Sequence, residues 1–311
     1  MDFAFIFPGQ GSQTLKMMDG FNEVNIVKNT FKIAQEILNI DFLAMLQEET
    51  ADSINQTVNT QPLILTASYA IYLSYLEKSN KLPKIMAGHS LGEWSALVAS
   101  GVIKFEDALK LVKLRAEFMQ NAVAPGEGSM AAVLGLDNET VVSICNQVSE
   151  NLSQIVAGVN FNSPGQVVIA GNRSAVDSAS VILKEKGAKK VQPLAMSVPS
   201  HCALLHSASE RLALAIAKIE FNLPSIPVIH NYNVKNFSDP NLIKDALVKQ
   251  LYSPVFWTDT IKQIVDLGII NIVECGPGKV LSGLNKRIDS NIISYNLSTK
   301  SDLTNTITQL N

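Results

Sequence analysis

The sequence predicts an α/β fold in which a parallel-sheet body carries a small inserted unit. Short β-branched runs alternate with longer helical patterns, which is the order typical of a parallel sheet. One stretch of about 70 residues follows the order β-α-β-β-α-β, which is that of a ferredoxin-like unit. The runs that predict the strands of the body are Phe3–Phe7, Lys84–Ala87, Pro227–His230 and Ile269–Cys275.

The inserted unit begins after the Pro125-Gly126 pair and is predicted to span residues 126–196, which leaves residues 1–125 and 197–311 for the body. A closed unit inserted into a larger fold leaves a cleft between the two, and clefts of this kind are preferred ligand sites. We therefore expect the functional site in that cleft. The predicted elements of the unit are the strand Met130–Leu134, the helix Asn138–Ser149, the strands Ile155–Asn160 and Gln166–Ala170, the helix Ser174–Lys186 and the strand Lys190–Leu194.

Composition limits the classes of function. The chain has 311 residues, and its 25 Lys plus Arg against 28 Asp plus Glu give a net charge of −3, which argues against a nucleic-acid binder that uses a strong positive field. The longest apolar stretch, Pro62–Leu76, is interrupted by Thr66, Ser68 and Ser74 and falls short of the roughly 20 residues of a membrane span. It predicts a buried helix.

The cysteines and the N-terminal segment predict a cytoplasmic protein. Cys145, Cys202 and Cys275 are odd in number and far apart, which fits neither a disulfide framework nor a zinc site. The apolar run Phe3–Phe7 lacks the basic start and the long apolar centre of a signal peptide. Neither a metal nor a cofactor is predicted.

A nucleophile elbow is predicted at residues 88–92. The pattern Gly-x-Ser-x-Gly lies there directly between an apolar strand and a helix that continues to Ala99. Gly88 and Gly92 let the strand and the helix approach each other, and the tight turn strains the serine backbone. Ser90 is the predicted nucleophile, and the alternative is a glycine-rich turn with a capping serine.

A serine hydroxyl needs a base, and the candidates are four histidines. His89 flanks Ser90, and the turn should direct its side chain elsewhere, whereas His206 lies in a helical pattern. The chain re-enters the body at the cleft just before His201. Chemistry alone therefore favours His201 over His230, and it leaves His230 open.

Arg115 lies amid the apolar face of the helical pattern Phe105–Met119. A guanidinium that points into a protein interior is costly unless an anion or several acceptors pair with it. Two interpretations stay open on the residues alone. One is a structural salt bridge to a buried carboxylate, and the other is a receptor that holds a substrate carboxylate through two hydrogen bonds.

Two glycine-containing loops, residues 8–13 and 276–280, lack the spacing of nucleotide-binding loops. An oxyanion hole is the more economical use of the first loop. Such a hole combines the N–H after the nucleophile with one from another loop, here those of Leu91 and Gln10. The alternative is a plain tight turn.

Five segments of the sequence carry a family resemblance. They are residues 5–13 (Phe-Ile-Phe-Pro-Gly-Gln-Gly-Ser-Gln), 88–93 (Gly-His-Ser-Leu-Gly-Glu), 160–166 (Asn-Phe-Asn-Ser-Pro-Gly-Gln), 198–201 (Val-Pro-Ser-His) and 276–281 (Gly-Pro-Gly-Lys-Val-Leu). In this combination and order the chain closely resembles the malonyl-CoA:acyl carrier protein transacylases of dissociated fatty acid synthesis, along essentially its whole length. The resemblance implies a hydrolase-like α/β body with a ferredoxin-like insertion.

The resemblance also implies roles for the matching residues. Ser90 matches the acylated serine and His201 the catalytic histidine, which the family orients through a backbone carbonyl at the position of Gln250. Arg115 matches the arginine that pairs with the malonyl carboxylate. The oxyanion-hole donors of the family match Gln10 and Leu91. The implied partners are malonyl-CoA and acyl carrier protein.

Two positions depart from the family pattern, and neither touches the implied chemistry. Trp94 stands where Tyr or Phe is usual, and His230 stands where Asn or Ser is more frequent. The rival functions are a serine esterase or thioesterase, which has no need of Arg115, and a non-catalytic protein of the same fold. A basic cluster predicts a docking surface for the carrier, with a solvated lysine face as the alternative; its members are Lys184, Lys186, Lys189 and Lys190.

Overall fold

Nine strands form two separate sheets in the computed structural model, which describes residues 1–194 and 198–310. The strands are β1 (Phe3–Phe7), β2 (Ile85–Gly88), β3 (Gly128–Leu134), β4 (Val156–Ser163), β5 (Gln166–Asn172), β6 (Lys190–Pro193), β7 (Val228–Ile229), β8 (Asn271–Glu274) and β9 (Ile293–Asn296). The helices are α1 (Asn25–Leu38), α2 (Phe42–Met45), α3 (Asp52–Asn55), α4 (Thr57–Leu76), α5 (Leu91–Ala99), α6 (Phe105–Gln120), α7 (Asn138–Leu152), α8 (Arg173–Glu185), α9 (His206–Ile216), α10 (Pro240–Gln250), α11 (Trp257–Asp266), α12 (Val280–Ile288) and α13 (Lys300–Leu310).

The sheet of the body is parallel throughout, in the order β7-β2-β1-β8-β9, which confirms the predicted parallel α/β fold. β1 lies at its centre with all five side chains buried, because helices cover both faces. The predicted buried helix is confirmed as part of α4, whose apolar residues line the larger core. No helix within residues 1–194 and 198–310 is long and apolar enough to cross a membrane.

β9 is absent from the predicted strands, and the reason is its position. It is the edge strand next to β8, only four residues long, and Ile293 and Ser294 are exposed. A short exposed edge strand has neither the continuous apolar run of a buried strand nor a clear alternation. β7 is likewise shorter than predicted, with two residues instead of four.

The second sheet is antiparallel, in the order β4-β5-β3-β6. With α7 and α8 packed on one face, it confirms the predicted β-α-β-β-α-β unit. The predicted boundaries at 126 and 196 stay a prediction. Gly126, with φ +88°, lies in the turn before β3, whereas residues 195–197 lie outside the described residues.

The small sheet is bonded to the body along β4. The N–H of Phe161 donates to the carbonyl of Val255 at 3.0 Å, and the N–H of Val255 donates to the carbonyl of Val159 at 2.8 Å. The rings of Phe161 and Phe256 stack with centroids 5.4 Å apart. These contacts hold the small sheet against the segment between α10 and α11.

Candidate active site

The turn between β2 and α5 has the geometry of a nucleophile elbow. Ser90 occupies it with φ +51° and ψ −107°, a conformation that is strained for a residue with a side chain. A Cβ atom on Gly88 would collide with the backbone of Gly92, and one on Gly92 would collide with the carbonyl of Phe7. Glycine at both positions is therefore a requirement of the close strand-helix packing.

His201 lies directly beside the serine hydroxyl. Its Nε2 is 2.7 Å from Ser90 Oγ, and its Nδ1 is 2.8 Å from the backbone carbonyl oxygen of Gln250. Gln250 is the last residue of α10, so its carbonyl has no partner four residues later in the helix and is free to accept. Because a carbonyl can only accept, Nδ1 carries the proton and Nε2 faces Ser90 as an acceptor.

The surroundings of His201 favour its neutral form. Burial lowers the pKa of His201 to about 3, and the neighbouring Arg115 adds to the shift, while the hydrogen bond to Gln250 opposes it. The imidazole is therefore uncharged near neutral pH. An uncharged imidazole can take a proton from the serine hydroxyl.

Arg115 extends from α6 into the same site and is 1% exposed. Its Nη1 donates to Gln61 Oε1 at 2.6 Å, and its Nη2 donates to Gln250 Oε1 at 3.1 Å and to Ser90 Oγ at 3.3 Å. Burial lowers the pKa of Arg115 to about 10, and the negative charge of Glu93 opposes the shift. The guanidinium thus keeps its charge at neutral pH.

The alternative interpretation of Arg115 is a structural salt bridge, but Arg115 has no carboxylate partner in the part of the chain that the structure describes. Every carboxylate there is more than 4.0 Å from the guanidinium, and Nε has no hydrogen-bond partner. Neutral amides hold the cation instead. A buried cation without an anion has a donor edge available for an incoming carboxylate.

The cavity at this site has a volume of about 450 Å³ and lies between the body and the small sheet, where the sequence predicts a cleft. Gln10, Leu91 and Ser90 line it from the body, and Met130 and Asn160 line it from the small sheet. The backbone N–H groups of Gln10 and Leu91 have no hydrogen-bond partner among residues 1–194 and 198–310. Both are free to donate to an oxyanion.

The other histidines have other partners. The Nε2 of His89 is 2.8 Å from Asn162 Oδ1 on the small sheet, so its side chain bonds there and not to Ser90. His206 is exposed and pairs with Glu210 at 3.5 Å. His230 is buried, and its Nδ1 is 2.7 Å from Glu93 Oε1.

The cysteines and Trp94 take structural positions. All three cysteines are buried and free of disulfides. Burial raises the pKa of the Cys202 thiol to about 11, which makes it a poor nucleophile beside His201. Trp94 is fully buried in the larger core, and its indole N–H has no hydrogen-bond partner in the described residues.

Sequence reasoning missed three polar residues of this site: Gln61, Glu93 and Asn231. Gln61 holds Arg115, and Asn231 Oδ1 accepts from the N–H of Ser90 at 2.7 Å. Glu93 carried a signal, because it is a charged residue inside an apolar segment next to the elbow. Gln61 and Asn231 gave none, since a lone amide side chain in a helix or loop has no distinctive spacing.

The fold and the site together define an acyltransferase of the α/β class. The family model for the acyl transferase domain matches residues 4–286. The chain belongs to the family of malonyl CoA-acyl carrier protein transacylases. The relative of that name in Haemophilus influenzae is 51% identical over 298 residues, which are 94% of this chain and 95% of the relative.

Solved structures agree with this assignment. The malonyl CoA-acyl carrier protein transacylase of Coxiella burnetii superposes with a TM-score of 0.97 at 44% identity, over 100% of this chain and 98% of that one. A malonyl-transacylase solved in complex with its type II PKS acyl-carrier protein superposes with a TM-score of 0.97 at 45% identity, over 99% of this chain and 100% of that one.

Proposed function

We propose that this chain transfers the malonyl group from malonyl-CoA to the phosphopantetheine thiol of acyl carrier protein in the cytoplasm, supplying fatty acid chain elongation. The observation that carries the proposal is a buried arginine without a carboxylate partner, 3.3 Å from a serine that is bonded to a neutral histidine. Three free buried thiols are in keeping with a reducing compartment.

The first half-reaction acylates the serine. His201 Nε2 takes the proton of Ser90 Oγ as Oγ attacks the thioester carbonyl, and the N–H groups of Leu91 and Gln10 stabilise the oxyanion. The C–S bond breaks, and the CoA thiolate takes the proton from His201. Arg115 pairs with the free carboxylate, which orients the malonyl group during both steps.

The second half-reaction uses the same groups. The carrier thiol enters the emptied part of the cavity and gives its proton to His201, and its sulfur attacks the malonyl ester. The ester C–O bond breaks, and Ser90 Oγ regains the proton from His201. The backbone carbonyl of Gln250 keeps Nε2 in the correct orientation throughout. No water is consumed.

Intact-mass measurement after incubation with malonyl-CoA tests this proposal. We expect a malonyl adduct on the protein that disappears when holo acyl carrier protein is added and then appears on the carrier. An esterase or thioesterase releases free malonate instead and leaves the carrier unmodified. A protein that acquires no adduct contradicts both activities and favours the non-catalytic alternative.

Arg115→Ala is expected to change the substrate preference. Loss of charged hydrogen bonds to the malonyl carboxylate should lower kcat/KM for malonyl-CoA roughly 10- to 100-fold, which corresponds to about 1.5 to 3 kcal/mol. Acetyl-CoA has no carboxylate to lose and should be used as well as before or better. Both kcat/KM values and the Tm are measured together.

Arg211→Ala is the matched control for this variant, because Arg211 lies outside the cavity wall, over the ring of Phe118 at 4.1 Å. It should leave both substrates unchanged. An equal loss on malonyl-CoA and acetyl-CoA by a destabilised Arg115→Ala protein contradicts the carboxylate-receptor role.

The exposed lysines between residues 184 and 190 lie at the end of α8 and the start of β6, and we expect them to attract an acidic carrier. Reversing Lys189 and Lys190 to Glu should slow transfer to the carrier at low salt and leave acylation by malonyl-CoA intact. Reversal of Lys28 and Lys32 on α1 makes the same change in net charge away from the cavity. Equal effects of the two double variants, or none at any salt concentration, contradict the docking role.

A further inference from the structure

The carboxylate of Glu93 is fully buried behind the elbow and accepts three hydrogen bonds. His230 Nδ1 is 2.7 Å from Oε1, and Oε2 accepts from the N–H of Asn231 at 2.9 Å and from Gln250 Nε2 at 2.9 Å. The donors come from two distant parts of the chain, the segment after β7 and the end of α10. Glu93 thus joins three elements that meet under the site.

The Gln250 side chain connects Glu93 to the reacting groups. Besides donating to Glu93, its Nε2 donates to the carbonyl of Ser90 at 3.0 Å, and its Oε1 accepts from Arg115. The backbone carbonyl of the same residue accepts from His201. A side chain held at three points has little freedom to rotate, so its backbone carbonyl is fixed as well.

Asn231 connects Glu93 to the strained turn. Its Oδ1 accepts from the N–H of Ser90 at 2.7 Å, and its Nδ2 donates to the carbonyl of Gly88 at 2.6 Å. These two bonds lie on either side of His89. Strained backbone persists only where the surroundings determine it from several directions, and Asn231 provides two of these constraints on Ser90.

The hydrogen bonds require Glu93 to act as an acceptor on both oxygens. The Asn231 N–H and Gln250 Nε2 can only donate, and the remaining partner is His230 Nδ1. Nε2 of His230 is buried without a partner in the described residues. A neutral ring that donates from Nδ1 leaves no buried N–H unpaired. The opposite tautomer would leave a buried N–H without an acceptor at Nε2.

We propose that Glu93 is a positioning residue that acts through Gln250 and Asn231. Through Gln250 it fixes the acceptor that orients His201, and through Asn231 it fixes the backbone of Ser90. The role rests on the proposed function, since it presupposes that Ser90 and His201 react. A displacement of about 1 Å at reacting groups can cost roughly 100-fold in rate, so a residue that sets their separation has a large effect without touching substrate.

Two variants separate geometry from charge. Glu93→Asp keeps the charge but is shorter by one methylene, about 1.5 Å, and cannot reach all three donors. Glu93→Gln removes the charge but keeps the length. Its oxygen can accept from Asn231 and Gln250, and its NH₂ can donate to His230 Nδ1 after that ring changes tautomer. The new tautomer leaves a buried N–H without an acceptor at Nε2, so Glu93→Gln should lower the Tm while the positions of Gln250 and Asn231 are kept.

Glu274→Asp is the matched structural control. Glu274 is also a fully buried carboxylate with three hydrogen bonds, which it accepts from Leu281 and Ser282 at the start of α12, outside the cavity wall. Shortening it should lower the Tm as Glu93→Asp does. It should leave the chemistry of Ser90 within about twofold of the unmodified protein.

The measurement is the single-turnover rate constant for malonylation of Ser90 at saturating malonyl-CoA, with the apparent Kd from the concentration dependence. We expect Glu93→Asp to lower the rate constant roughly 10- to 100-fold at nearly constant Kd, and Glu93→Gln to lower it no more than about threefold. A Glu93→Asp rate near that of the unmodified protein, or a Glu93→Gln rate below that of Glu93→Asp, overturns the proposal.

The proposal remains testable if Glu93→Asp does not fold, because a loss of more than about tenfold in folded Glu93→Gln also overturns it. Failure of the proposed function looks different. In that case the unmodified protein itself acquires no malonyl group on Ser90, and both proposals fall together. If Ser90 of the unmodified protein is labelled and the Glu93 variants react as fast as that protein, only the positioning role is contradicted.

Discussion

Ser90→Ala is expected to abolish covalent labelling by malonyl-CoA and to leave the protein folded. The substitution removes the only atom that forms the acyl bond, and loss of a nucleophilic serine costs on the order of 10⁶-fold in kcat in a serine hydrolase. Alanine adopts the positive φ of this position no less readily than serine, so the elbow should persist. Intact mass and radiolabelled malonyl-CoA measure the adduct directly.

Ser95→Ala provides the matched control for the nucleophile. Ser95 lies on α5 five residues further along the chain, is fully buried, and its hydroxyl has no hydrogen-bond partner in the described residues. The control protein should be labelled like the unmodified one. A malonyl adduct that survives Ser90→Ala and disappears in another serine variant contradicts the elbow assignment.

His201→Ala is expected to slow both half-reactions. The same Nε2 takes a proton from Ser90 Oγ in the first and from the carrier thiol in the second, and positioned proton transfer contributes about 10²- to 10⁴-fold. The thiol is more acidic than the serine hydroxyl, so acylation should suffer the larger loss. Single-turnover rates are measured separately for acylation by malonyl-CoA and for transfer from isolated malonyl-protein to the carrier.

His206→Ala is the control for this prediction, because His206 is exposed on α9 and contacts Glu210 rather than the cavity. It should change neither rate. If His201→Ala leaves acylation as fast as in the unmodified protein, another group is the base, and the 2.7 Å contact between His201 and Ser90 has no catalytic meaning.

The elbow and the inserted unit could be predicted because their signals are local. The spacing of Gly88, Ser90 and Gly92 reports a tight strand-helix turn, and the element order reports the antiparallel sheet. Arg115 was conspicuous for a similar reason, since helical periodicity places it on an apolar face. In each case the residues that determine the feature lie close together in the sequence.

The supporting polar contacts could not be predicted, because they join residues far apart in sequence. Gln61 meets Arg115 across 54 positions, and Gln250 meets Glu93 across 157. The choice between His201 and His230 shows the same limit. Both histidines are buried and both form a hydrogen bond through Nδ1. They differ in which residues the fold places beside them. The family resemblance could indicate that difference, but the local sequence could not.

The contact between β4 and the segment around Val255 affects how parts of this molecule can be exchanged with those of relatives. A chimera that replaces residues 126–196 alone would keep the backbone hydrogen bonds to Val255, which any residue type can make, but would set Phe256 against a different side chain wherever the relative has no aromatic ring at the position of Phe161. The transplantable module is therefore discontinuous, and it includes the segment around residues 255–258 as well as the insertion. Recombination at the two obvious junctions would divide a unit that the folded protein keeps together.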